Sequence, residues 1–214
     1  MKQLLVINSS PRSGRSHSRR LTEVFVNHWQ NKHADASVTY RELGLEQVPH
    51  VSETWIAGVY KPAELRTAEE KEALAKSDEY IKELREANVI VIGVPMYNYS
   101  FPSSLKAYID QILRINETWV LNHNNLLDPY IGLLKDKKMY LLLSRGAQGY
   151  EAGGYNEHIN FQTTYLKAAF RMAGIVDIHE VAINGELFGD KTLKDAIESA
   201  HLKIKEIIEN EKSH

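Results

Sequence analysis

Hydroxyl side chains are concentrated directly after the first apolar stretch of the chain. Residues 4–7 are Leu-Leu-Val-Ile, and the Asn-Ser-Ser-Pro-Arg that follows ends the pattern of a buried strand. A helical pattern then opens at residues 16–18. The N-terminus of a helix presents unpaired backbone N–H groups and the positive end of the helix dipole, to which serine hydroxyls add donors. We therefore expect Ser10, Ser16 and Ser18 to bind a phosphate group.

A plainer interpretation of this loop is a serine that caps a helix. One serine would be enough for a cap, whereas residues 10–18 hold four serines together with Arg12 and Arg15. The loop has neither the G-x-G-x-x-G spacing of dinucleotide-binding folds nor the lysine of a P-loop. The pattern thus favours the terminal phosphate of a mononucleotide.

The overall composition is that of an ordinary globular protein. The 214 residues suffice for one well-cored domain, so we expect residues 1–214 to form a single domain. The formal net charge of −2 offers no basic face for nucleic acid, and no apolar stretch approaches a membrane span. The chain has no cysteine, which excludes disulfides and thiol chemistry, and its nine histidines show no metal-binding spacing. A cytoplasmic protein with no metal, nucleic-acid partner or membrane partner is expected.

Apolar runs alternate with helical patterns along the chain. Continuous runs at residues 4–7, 89–94 and 139–143 are typical of strands covered on both faces, and weaker strands are expected at 37–42 and 177–182. Helices are predicted after Ser18, from the capping box of Thr67 and Glu70, from Pro102, over residues 165–172 and over residues 193–208. This alternation predicts an α/β fold, a flavodoxin-like three-layer sandwich with a five-stranded parallel sheet in the order 2-1-3-4-5.

Two further segments leave strand ends that this order brings next to the serine loop. Residues 95–102 contain three aromatic residues, a methionine and two prolines, a composition that suits the faces of a flat heteroaromatic ring and equally a packed turn. Residues 144–154 contain Arg145 and several glycines, whose backbone lets a ligand approach closely. A flexible surface loop has the same composition, but three such segments at one sheet edge favour a ligand site.

Together these segments resemble the FMN-dependent NADH azoreductases, also called FMN-dependent NADH:quinone oxidoreductases. The resemblance extends from Lys2 to the last helix and is most specific at the Pro-Met-Tyr-Asn tetrapeptide of residues 95–98. It implies that tightly bound FMN is held through its phosphate by Ser10, Ser16, His17 and Ser18. The residues that it implies around the flavin ring are Pro95, Met96, Tyr97, Asn98, Tyr99, Ser144, Arg145, Gly146 and Ala147.

The resemblance also implies an activity. NADH or NADPH would reduce the flavin and leave, and a quinone or an azo compound would then take its place and receive two electrons by a ping-pong mechanism. No side chain is required as an acid or base, so no catalytic residue is assigned, while Trp119 is expected at the substrate pocket. The family forms homodimers whose pockets lie at the subunit interface.

Some residues depart from the family pattern and keep alternatives open. Phenylalanine is common where Tyr99 stands, a second glycine is common where Ala147 stands, and residues 115–137 match least well. An NADPH-dependent FMN reductase that releases its flavin is the nearest alternative. A flavodoxin-type electron carrier is another, although such a carrier would need more negative charge than −2 to dock on basic partners. A flavin-binding regulatory module without turnover is a third.

Overall fold

A parallel sheet forms the centre of the computed structural model, which describes residues 2–125 and 127–211. The strands in chain order are β1 (Gln3–Asn8), β2 (Ser37–Arg41), β3 (Val89–Pro95), β4 (Trp119–Leu121), β5 (Tyr130–Gly132), β6 (Lys138–Arg145) and β7 (Asp177–Asn184). Five of them form the central sheet in the order β2-β1-β3-β6-β7, with every pair parallel. The predicted order 2-1-3-4-5 is therefore confirmed.

Helices cover both faces of this sheet. They are α1 (His17–Lys32), α2 (Glu53–Val59), α3 (Ala68–Glu86), α4 (Ser103–Ile112), α5 (Phe161–Met172) and α6 (Asp190–Glu209). Successive side chains of a strand point to opposite faces. Leu5 and Ile7 accordingly pack in the cluster under α3, α4 and α5, while Leu4 and Val6 pack in the cluster under α1 and α6. This two-sided burial explains why the strands are continuously apolar.

The predicted helix ends have clear local causes. Thr67 caps α3 in a full capping box, because its hydroxyl accepts from the Glu70 N–H while the Glu70 carboxylate accepts from the Thr67 N–H. Pro102 is the N-cap of α4 and lies one residue before the first helical position. The helix α5 begins at Phe161, before the predicted residue 165, and Gly174 follows its end with φ of 104°.

One short helix and one pair of short strands are additional to the predicted elements. The helix α2 has only seven residues and is anchored by Trp55, whose indole N–H donates to Gln111 Oε1 at 2.7 Å. Strands β4 and β5 form an antiparallel pair of three residues each. This pair, which we call the hairpin, packs so closely on the turn after α5 that a Cβ at Gly132 would lie 2.1 Å from the Gly174 nitrogen.

Candidate functional site

The serine loop after β1 forms the N-terminus of α1. Ser16 is the N-cap, and its hydroxyl lies 3.3 Å from the Arg19 nitrogen and 3.2 Å from the Ser18 hydroxyl. The backbone N–H groups of His17 and Ser18 have no hydrogen-bond acceptor in the part of the chain that the structure describes. These two amides and the buried serine hydroxyls are the donor set that a phosphate group requires.

The loop is held in place by a charged network. The Asn8 amide donates to Glu42 Oε1 at 2.8 Å, and the Arg19 guanidinium donates to Glu42 Oε2 at 2.6 Å. A second nitrogen of Arg19 donates to the Ser10 carbonyl at 3.1 Å. Glu42, at the end of β2, therefore fixes the loop through Arg19. A Cβ at Gly44 would lie 2.0 Å from the Ser10 carbonyl oxygen, so the segment after β2 also supports the loop by close backbone contact.

A cleft of about 700 Å³ lies against the outer side of the loop. Three exposed arginines line it, namely Arg12, Arg15 and Arg20, and within residues 2–125 and 127–211 their side chains make no ion pair with a carboxylate. Glu186 also lines the cleft, where its carboxylate lies 3.7 Å from His17 Nε2. The cleft thus has an excess of positive charge beside the phosphate donors, which favours an anion.

The segment after β3 makes a tight two-residue turn. Tyr97 and Ser100 exchange backbone hydrogen bonds of 3.1 and 2.9 Å, and the residues between them, Asn98 and Tyr99, have φ of 48° and 68°. Positive φ at both central positions is the type I′ geometry, which costs a residue with a Cβ about 1–2 kcal/mol. The turn presents Tyr97 and Tyr99 at 37% and 51% exposure, so their rings are free to contact a ligand.

The segment after β6 joins this turn. The Met96 N–H donates to the Ser144 carbonyl at 2.7 Å, so the backbone that follows β3 stays bonded to the last residues of β6 at the sheet edge. Gly146 packs under Leu187, since a Cβ at Gly146 would lie 3.0 Å from the Leu187 side chain. The N–H groups of Gly146 and Ala147 donate to no acceptor among the described residues. A planar ligand with carbonyl oxygens could accept from these amides.

The side chain of Arg145 differs from its neighbours because it is directed into the protein. The guanidinium is 3% exposed, and its Nε donates to Gln162 Oε1 at 2.8 Å. Its centre lies 5.6 Å from the centroid of the Tyr150 ring. The structure therefore brings the backbone of Arg145 to the site but not its charged end.

Trp119 lies on the hairpin. Its ring meets that of Tyr130 edge to face, with the centroids 5.4 Å apart. Its neighbour Thr118 is buried, and the Thr118 hydroxyl donates to the Ile112 carbonyl at 2.7 Å, which fixes the hairpin to the end of α4. The Trp119 ring thus contacts Tyr130 within the hairpin, and the role of Trp119 at a substrate pocket stays a prediction.

Sequence reasoning missed the residues that support the loops. Glu42 had no partner that could be read from its spacing, because Asn8 and Arg19 are brought to it by the fold. Gln162, in the first turn of α5, is fully buried and donates to the Val94 carbonyl at 3.2 Å as well as accepting from Arg145. Glu42 is a charged residue directly after a strand and Gln162 is an amide residue in the first turn of a helix, and both patterns are too common to single out.

Two negative findings concern the described part of the chain. No helix in it is both long and apolar enough to cross a membrane. Its histidine and acidic side chains form no group of three or more that could hold a metal ion.

Known proteins are similar to this chain in sequence and in fold. A family model described as the flavodoxin-like fold matches residues 2–208. The FMN-dependent NADH:quinone oxidoreductase 1 of Trichormus variabilis is 44% identical over 206 residues, covering 96% of this chain and 95% of the relative. The FMN-dependent NAD(P)H:quinone oxidoreductase 1 of Pseudomonas aeruginosa is 37% identical, covering 95% of this chain and 97% of the relative.

A solved structure has the same fold as this chain. The crystal structure of the azoreductase from Bacillus anthracis superposes with a TM-score of 0.87 at 25% identity, covering 97% of this chain and 99% of that one. The family resemblance predicted from the serine loop and the Pro-Met-Tyr-Asn segment is thereby confirmed. The chain belongs to the flavodoxin-like FMN-dependent NADH:quinone oxidoreductase family and is an oxidoreductase.

Proposed function

We propose that this protein binds FMN tightly and transfers two electrons from NADH or NADPH to quinones, and that it also cleaves azo compounds reductively. The observation that carries the proposal is the meeting of three loops at the carboxyl edge of β1, β3 and β6. One loop offers phosphate donors, one offers exposed aromatic rings and one offers free backbone N–H groups. The names of the relatives, which mention FMN, NADH, NAD(P)H and quinone, support the same activity.

The residues present fit FMN. Its phosphate would be held by Ser10, Ser16, His17 and Ser18, which supply hydroxyls and the two open amides at the start of α1. An apolar ring face suits Met96, while its polar edge suits the amides of residues 146 and 147. Bound FMN supplies the redox chemistry, since it accepts a hydride and passes two electrons on.

The protein residues would orient the flavin ring and stabilise the charge that its reduction adds. We assign the binding of the flavin ring to the turn of residues 95–99 and to residues 144–147, two segments that the hydrogen bond from Met96 to Ser144 holds together. The open amides of Gly146 and Ala147 would stabilise the negative charge that reduction adds to the pyrimidine edge, as an oxyanion hole does for its own charge. The donor and the acceptor would bind in turn at the same site, which gives ping-pong kinetics. A cytoplasmic location, where NADH and NADPH are available, is part of the proposal.

A homodimer is part of the proposal. Phe161 and Tyr165, at the start of α5, are 56% and 36% exposed and line an apolar groove of about 540 Å³ with Phe101. This groove lies beside Tyr99, whose carbonyl accepts from the Phe161 N–H at 3.1 Å. A second copy that covered the groove would therefore add side chains next to the flavin turn.

Trp119, with its neighbouring Tyr130, is proposed to contact the substrate.

The pigment of the purified protein tests the proposal. We expect a yellow protein with a flavin spectrum that releases FMN on denaturation and oxidises NADH with benzoquinone, giving parallel double-reciprocal lines. Ser18→Ala should weaken FMN binding more than riboflavin binding, because only FMN has the phosphate, whereas Ser103→Ala at the start of α4 should change neither. A colourless protein that takes up no FMN at micromolar concentration would refute the proposal, and release of reduced flavin as a product would favour the FMN reductase.

A further inference from the structure

A buried positive charge lies directly beneath the end of β6. Arg145 is 3% exposed, and among the described residues its one side-chain hydrogen bond is from Nε to the neutral Gln162 amide at 2.8 Å. Its Nη2 has no hydrogen-bond partner within residues 2–125 and 127–211. Burial without a full set of acceptors is costly for a charged group, so a guanidinium in this position calls for an explanation.

Nearby carboxylates compensate the Arg145 charge only in part. The nearest carboxylate is that of Glu180 on β7, whose Oε2 lies 3.9 Å from Arg145 Nη2. Glu180 is 28% exposed and is also paired with the Lys167 ammonium. Arg145 therefore shares a partly exposed carboxylate with Lys167, and the other negative charge near its guanidinium is the exposed carboxylate of Glu151. Solvent screens both carboxylates more than it screens the buried guanidinium. Burial lowers the pKa of the Arg145 guanidinium from its ordinary value, but arginine stays charged at neutral pH.

The same residue is connected to both strand ends that border the proposed flavin ring. Arg145 is followed in the chain by Gly146, whose N–H group is open. Its partner Gln162 donates to the Val94 carbonyl at 3.2 Å, one residue before the flavin turn begins. The buried guanidinium is thus connected to β6 by its own backbone and to β3 through Gln162.

We propose that Arg145 raises the reduction potential of the bound flavin through its buried charge, without contacting the flavin. The inference rests on the proposed function and adds a positioning residue to it. Reduction adds negative charge to the site, and a cation in a low-dielectric interior stabilises that charge more than an exposed cation does. In the overall exchange the donor loses two electrons and one proton as hydride, and the quinone gains two electrons and two protons, the second from water.

Two variants alter this charge in opposite directions. Glu180→Gln removes the partly compensating carboxylate and leaves the Gln162 brace intact, so the potential should become more positive. Gln162→Glu places a carboxylate at the Arg145 Nε, so the potential should become more negative. A tenfold change in the equilibrium constant for reduction corresponds to about 30 mV for a two-electron couple. We expect about that shift for Gln162→Glu and a smaller one for Glu180→Gln, because Glu180 is partly screened by solvent.

The experiment is a reductive titration of the purified flavoprotein against a reference dye, followed at the flavin absorbance band. Glu209→Gln, at the end of α6, serves as the control, because Glu209 is an exposed carboxylate whose change should leave the potential as it is. Arg145→Gln removes the charge and keeps an amide that can reach Gln162, so its potential should become more negative, whereas a merely structural role of Arg145 would lower FMN affinity and leave the potential as it is. Because Glu180→Gln alters a partly exposed side chain, its potential decides the matter even if Gln162→Glu does not fold.

The outcomes separate this inference from the proposed function. A yellow and active protein whose potential does not rise in Glu180→Gln would overturn the inference alone. Shifts in the same direction for both variants would overturn it as well. A protein that binds no FMN would overturn the proposed function and the inference together.

Discussion

Gly44 offers a direct test of the phosphate loop. A methyl group at this position would place Cβ 2.0 Å from the Ser10 carbonyl oxygen and 2.3 Å from the Ser10 carbonyl carbon. Ordinary contact begins at 3.4 Å, so the oxygen contact is too short by about 1.4 Å. Both neighbours are backbone atoms, and no side-chain rotation can relieve the overlap. Gly44→Ala must therefore displace the start of the serine loop.

The expected magnitude follows from the cost of overpacking. Inserting a methyl group into a well-packed region costs about 1–3 kcal/mol, and about 1.4 kcal/mol corresponds to a factor of ten in affinity. If the Ser10 hydroxyl moves away from the phosphate, we expect the dissociation constant for FMN to rise about tenfold or more. A loss of this size would also lower the melting temperature of a chain of this length by roughly 2–12 °C.

The assay is a titration of flavin-free protein with FMN and, separately, with riboflavin. Gly14→Ala is the matched control, because Gly14 lies in the same loop and a Cβ there meets nothing within 4 Å. Gly44→Ala should discriminate less between FMN and riboflavin than the unchanged protein does, and Gly14→Ala should behave like the unchanged protein. If Gly44→Ala bound FMN with normal affinity and melted normally, the close contact would not control the loop and the reasoning would fail.

Three further predictions concern the substrate, the charge and the fold. Trp119→Ala should raise KM for benzoquinone several-fold while the FMN dissociation constant holds in a fluorescence titration; an equal loss of both would indicate misfolding. FMN affinity should fall as the salt concentration increases. Replacing Arg15 and Arg20 with uncharged residues should make the affinity depend less on salt, and at low salt each replacement should weaken binding up to about fivefold. A salt-independent affinity would exclude the electrostatic role. Thr67→Ala, which breaks the capping box with Glu70, should cost about 1 kcal/mol and lower the melting temperature by about 2–4 °C in a thermal scan, with activity unchanged.

The sheet could be predicted because its signal is local. Continuous apolar runs such as residues 89–94 and 139–143 identify strands buried on both faces, and their alternation with helices indicates a doubly wound sheet, for which 2-1-3-4-5 is one of the two common strand orders. Thr67 and Glu70 marked a helix start for the same reason, since both partners of the capping box lie within one turn. Where the determinants of an element lie within a few residues, the pattern was sufficient.

The missing elements depend on distant contacts. The hairpin strands have three residues each, and they hold their position through the approach of Gly132 to Gly174, which are 42 positions apart in the sequence. The short helix α2 likewise depends on the bond from Trp55 to Gln111. No local periodicity encodes either contact.

The candidate site also has a part that the sequence could predict and a part that depends on distant contacts. Its backbone donors could be predicted, because they follow from the strand ends and from the start of α1. The direction of the Arg145 side chain could not, because it is set by Gln162 and Glu180, which belong to α5 and β7. The support that Glu42 gives to the loop through Arg19 is equally a product of tertiary structure.

The backbone contact of Gly132 with Gly174 has an evolutionary consequence. It fixes the base of the hairpin to the body of the enzyme without using any side chain. The connection between the two strands can therefore lengthen, shorten or change its sequence while the sheet keeps its register. Relatives could acquire new acceptors by altering this connection alone, with the cofactor loops inherited intact.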